Sequence, residues 1–113
     1  LMMTKSEIAV TKLSRDQVSV FYKIVKEELA KENIIWDGFI GRTYTYPVRR
    51  ARHNVVWRLR QELKLKKTMI ANLLELDEST VRLMLKAMEE TSGKIPDSLK
   101  SNSRRYKPRE QRA

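Results

Sequence analysis

Arg49, Arg50 and Arg52 fall within four residues of one another, and His53, Trp57, Arg58 and Arg60 follow with no acid between them. A guanidinium is a planar fork of donors that matches a phosphate bidentately, so this spacing points to the gripping of polyanions. A merely solvated surface mixes the two signs of charge, and this stretch does not. Cations in the first turns of a helix oppose its dipole. Arg49, Arg50 and Arg52 therefore have no folding rationale in the sequence and point to a ligand. His53, between arginines, is placed to touch a phosphate or a base. Trp57 either packs under residues 34–46 or stacks with an arginine or a base.

The charge is not spread evenly. Residues 42–67 hold nine bases and one acid, 68–90 hold two bases and five acids, and 91–113 hold seven bases and two acids. The whole chain of 113 residues carries +10 with a pI near 10.1, which favours phosphate-rich partners through Coulomb attraction and counterion release. The chain has no cysteine and one histidine, so thiolate metal sites and cysteine nucleophiles are excluded and a histidine metal site has little material. No Gly-rich phosphate loop is present, and paired acids such as Glu27 and Glu28 are adjacent residues that a helix turns apart. The expectation is a protein that is not an enzyme and has no cofactor, no metal and no membrane span.

Four helices are needed to position these groups. Ser14 and Gln17 form the spacing of a capping box, which starts a first helix at Arg15, and Val18, Phe21, Val25 and Leu29 carry its apolar face to about residue 32. "NIIWDGFIGRTYTYP" then reads as an ordered connection with a short extended stretch, too apolar to float free. Pro47 opens a second helix, in which Val48, Ala51, Val55, Leu59 and Leu63 face inward. The helical period puts Arg49, Arg50, His53, Trp57, Arg60 and Gln61 on the other side. A third helix runs from Lys67 to Leu74, and Asp77 caps a fourth from Glu78 to about Glu89. The fourth turns Val81, Met84, Leu85 and Met88 inward and Ser79, Arg82, Leu83 and Lys86 outward. The predicted architecture is an all-α bundle of about four helices over residues 15–90, with a flexible 1–14 and a mostly disordered basic tail over 91–113.

"KTMIANLLELDESTVRLMLK" resembles a helix-turn-helix, with small Ala71 where the two helices cross. Glu75 stands at the turn position that glycine usually holds, and a left-handed conformation there costs about 1 kcal/mol. Glu75, Asp77 and Glu78 gather near the amino end of the reading helix, so that helix cannot supply the electrostatic attraction itself. "VRRARHNVVWRLRQEL" followed by "DESTV" also resembles the carboxy-terminal duplex-DNA-binding domain of the bacterial replication initiator DnaA, over about 40 of the 113 residues, from Val48 to Met88. The resemblance implies that Arg50 and Arg52 enter a minor groove and that Asp77, Ser79 and Thr80 meet the major groove. Glu78 replaces the signature histidine, and the initiator's nucleotide-binding module has no counterpart, so ATP-driven initiation is not implied.

The resulting expectation is a sequence-specific protein for double-stranded DNA, a transcription regulator, cytoplasmic and nucleoid-associated. Arg49, Arg50, Arg52, His53, Arg60, Lys66 and Lys67, together with Arg104 and Arg105 in the tail, would grip phosphates. Ser79, Thr80, Arg82, Leu83 and Lys86 would read bases, with Leu83 suited to a thymine methyl or to a second subunit of a homodimer. The alternatives are an accessory component of the replication or recombination machinery and an adaptor for an acidic protein.

Overall fold

A computed structural model of the chain describes residues 2–41 and 43–100. These residues form six α-helices: α1 (Lys5–Thr11), α2 (Arg15–Glu32), α3 (Trp36–Ile40), α4 (Tyr46–Glu62), α5 (Lys67–Leu74) and α6 (Glu78–Glu90). A short 3-10 turn, Asp97–Leu99, closes the described chain, and no strand occurs among the described residues. The all-α expectation holds.

Local chemistry explains most of the boundaries. Ser14 and Gln17 make the reciprocal capping box, at 3.2 and 2.9 Å, and α2 begins at Arg15 as the spacing predicts. Pro47 lies in the first turn of α4, where its missing N–H leaves no hydrogen bond unmade. Glu75 ends α5 in the left-handed conformation, with φ 55°, and the N–H of Leu76 reaches back to the Ala71 carbonyl at 2.8 Å. Asp77 takes the N-cap position of α6 in extended backbone, but its side chain makes no capping hydrogen bond.

Three segments depart from the expected outline. Residues 1–14, expected to be flexible, contain α1, which a Thr4–Glu7 capping box opens and which packs on α5 with Ser6 and Ala9 buried. The connection expected to be partly extended is instead α3, which buries Phe39 against the core and leans Trp36 on it at 5.6 Å. Residues 91–100, expected to belong to a disordered tail, turn back on α4 through left-handed Ser92 and Gly93, and Leu99 is buried.

α4 is the centre of the molecule. It packs against α2, α3, α5, α6 and the 3-10 turn, so apolar Val48, Ala51, Val55, Val56 and Leu59 are not its only buried residues. Arg52 and His53 are buried as well, although helical periodicity places His53 on the solvent side. An amphipathic pattern assigns one wet face to a helix, and a central helix does not keep one.

Trp57 also finds its place here. Its indole lies against Gly93, where a Cβ would fall 2.7 Å from Trp57 Nε1, so this tryptophan packs under the turn after α6 and against the core.

Candidate nucleic-acid interface

The arginines of α4 are mostly committed within the protein. α3 is a single short helix whose last carbonyls have no partner along their own chain. Arg52 supplies one: its Nε and Nη2 donate to the Phe39 carbonyl at 3.0 and 2.8 Å, Nη2 donates to Gly41 O at 2.7 Å, and Nη1 donates to Thr43 O at 2.7 Å. A cation at a helix carboxy end also suits the dipole. The Tyr44 ring lies 5.4 Å from the Arg52 guanidinium. Burial lowers the pKa of Arg52 from its ordinary value, and the Tyr44 interaction works the other way. The side chain stays charged.

Arg50 makes two hydrogen bonds to Glu32 through Nε and one through Nη2, at 3.1, 3.1 and 2.8 Å, and its Nη1 donates to the Leu99 carbonyl at 2.7 Å. Arg58 straps α4 to α2, bonding Glu62 at 2.7 Å, Glu27 at 2.8 Å and Glu28 at 3.1 Å. Its hydrogen bond to Glu62 leads the causes that raise its pKa, and its hydrogen bond to Glu27 lowers that carboxyl below the ordinary range. Arg60 donates to Leu65 O at 2.8 Å, holding the connection into α5. The expectation that Arg49, Arg50 and Arg52 form one grip without a folding role is thus corrected. Arg50 and Arg52 are structural cross-braces, and their acceptors lie on other elements.

Arg49 is different. It sits over the Tyr46 ring at 5.7 Å and makes no ion pair among the described residues. One turn later, His53 Nδ1 lies 2.8 Å from the Arg49 carbonyl. Desolvation is the main reason the His53 pKa falls below its ordinary value; the bond to the Arg49 carbonyl raises it and the charge of Arg49 lowers it further. The lowered pKa favours the neutral ring. With Nδ1–H donating, Nε2 carries the lone pair.

α5, the Glu75 turn and α6 form the hairpin read from the sequence. Ile70, Leu73 and Leu74 of α5 and Val81, Leu85 and Met88 of α6 are buried, while Ser79, Arg82, Leu83 and Lys86 are exposed, Leu83 at 68%. Arg82 pairs with Glu78 one turn back, and Thr68 Oγ1 donates to the same carboxylate at 3.1 Å. Exposed Lys66 and half-exposed Lys67 mark the amino end of α5.

Between α4 and α6 runs a groove of about 860 Å3, which brings together Arg49, Arg52, His53, Thr80 and Leu83 from the predicted set. Arg60, Lys66 and Lys67 do not line it, and neither do Ser79, Arg82 and Lys86. Arg104 and Arg105 lie outside the described residues. The groove also contains Asp77, which the initiator resemblance places at the major groove, and Tyr44 and Met84, which sequence reasoning did not place in the site. Tyr44 stands in a connection without periodicity, and Met84 reads as core.

No family model, no curated protein and no solved structure matches this chain.

Proposed function

We propose that the chain binds duplex DNA with sequence preference, as a regulator of transcription, through the α5–α6 hairpin. The observation that carries the reading is the outward face of α6. Ser79, Arg82, Leu83 and Lys86 share it, all exposed, on the second helix of a tight hairpin whose inner faces are filled. Such a helix fits a major groove, where its arginine and lysine suit guanine acceptors and its leucine a thymine methyl.

The division of labour differs from the sequence expectation. Arg50 and Arg52 are withdrawn from the grip, because inserting them in a minor groove would break the hydrogen bonds to Glu32, Leu99, Phe39, Gly41 and Thr43. Arg49, Lys66 and Lys67 take the phosphates. They make no ion pair among the described residues.

The test is a selection of bound duplexes from a random pool, followed by salt titration of the recovered site. A recovered motif supports the reading, and a palindrome within it indicates a dimer. Replacing Arg49, Lys66 and Lys67 by Ala should flatten the slope of log K against log[salt] by roughly 0.9 for each phosphate no longer neutralised, on specific and random duplex alike. Replacing Ser79, Arg82 and Lys86 should erode discrimination between sequences. No enrichment from the pool, or the same effect from both sets, overturns the proposal.

A further inference from the structure

The groove between α4 and α6 contains polar groups that the fold leaves unused. His53 is 9% exposed, and its Nδ1 is engaged by the Arg49 carbonyl, so Nε2 is left as an acceptor at the groove wall. Asp77 occupies a capping position without making the capping bond, and its carboxylate is also an acceptor. Opposite in charge to that carboxylate is the Arg49 guanidinium, without an acidic partner among the described residues. The remaining wall is apolar at Leu83 and Met84, and at the mouth stands Tyr44, 70% exposed, with the Arg52 guanidinium against its ring.

This combination restricts the occupant. A simple anion would meet Asp77 and Glu75, and a simple cation would meet Arg49. A ligand that is anionic at one end and a hydrogen-bond donor at the other satisfies both, and a flat ring between them suits Tyr44 and the two apolar side chains. The volume of about 860 Å3 lies within the usual range for small-ligand sites.

We propose that the groove binds a single nucleotide whose base carries an exocyclic amino group: adenine, cytosine or guanine. The phosphate sits on Arg49, the ring against Tyr44 and Leu83, and the amino group on Asp77 and His53 Nε2. Thymine offers a carbonyl oxygen where these acceptors need a donor, so the groove rejects it. The nucleotide is either free or an unstacked base of a single strand, because the chemistry is the same. The inference shares Arg49 and Leu83 with the duplex reading but does not need Ser79, Arg82, Lys86, Lys66 or Lys67, which lie outside the groove, so either reading can fail alone.

Titration of the full chain with dAMP, dCMP and dTMP, followed by amide NMR shifts and calorimetry, tests it. dAMP and dCMP should shift the amides of His53, Thr80 and Gly41 and bind roughly fivefold more tightly than dTMP, the value of one good hydrogen bond. Asp77→Ala combined with His53→Phe removes both acceptors and should erase that gap, and Asp77 has no capping bond to lose. Arg49→Ala should weaken all three nucleotides and keep the gap, with an unchanged melting temperature as the folding control. Five-nucleotide single strands separate the sources: about tenfold tighter binding than the mononucleotide assigns the groove to a strand, through stacking of neighbouring bases, and equal binding assigns it to free nucleotide. Equal affinity for dTMP, a gap that survives loss of both acceptors, or shifts elsewhere in the protein would overturn the proposal.

Discussion

Arg52 shows what a single residue does in this protein. It is 3% exposed, and its guanidinium satisfies three backbone carbonyls at and beyond the end of α3. Arg52→Met leaves those carbonyls without donors and should cost about 3 kcal/mol or more in a urea titration, whereas Arg49→Met should change stability by less than about 0.5 kcal/mol. Equal costs at the two positions would refute the distinction drawn between brace and free cation. His53 sets a pH dependence of definite sign. Its folded pKa lies below the ordinary 6.5, so the unfolded chain binds the proton more readily. The associated stability is fully present above about pH 6.5 and is lost as pH falls toward and through the lower folded value. His53→Gln should flatten the stability curve below about pH 6.5 relative to the parent, measured by denaturant midpoint.

Among the elements, the turn that follows α6 has the tightest requirement. Gly93 has φ 86°, a conformation that side chains rarely adopt, and it also lies against the Trp57 indole. Gly93→Ala should therefore cost about 1–3 kcal/mol. Because the added methyl meets the indole itself, the variant should also change the tryptophan emission; an unchanged spectrum with full stability would show that this close approach is unimportant. The turn between α5 and α6 makes a smaller demand of the same kind. Glu75 has φ 55° there, and the conditional penalty of about 1 kcal/mol read from the sequence applies. The span of each hairpin helix was legible because three- and four-residue apolar steps are a local signal. α1 was missed although Thr4 and Glu7 carry the same capping-box spacing as Ser14 and Gln17, because its apolar face is only Ala9 and Val10.

At the scale of the whole molecule, charge and fold are coupled. The chain carries +10, yet four of the five arginines between residues 49 and 60 donate to acceptors inside the protein. The net charge thus overstates the grip on a polyanion. The same braces bring the end of the described chain onto α4, since Leu99, 2% exposed, presents its carbonyl to Arg50. Leu99→Ala should cost about 2–4 kcal/mol and make residues 94–100 sensitive to proteolysis while α5 and α6 remain protected in hydrogen exchange. Unaltered cleavage would mean that residues 94–100 are not held by the buried leucine.

By itself the sequence determined the helical class, the capping of α2, the limits of α4, α5 and α6, and the outward face of Ser79, Arg82, Leu83 and Lys86. Each follows from interactions within about four residues, which the order of the residues preserves. It did not determine what the arginines do. The acceptors of Arg52 and Arg50 stand 13, 18 and 49 residues away, and only the packing of α4 at the centre of the bundle brings them within 3 Å or so. Tertiary structure decided which cations are spent in the fold and which remain to meet a ligand, because a guanidinium goes to whatever buried oxygen would otherwise have no donor.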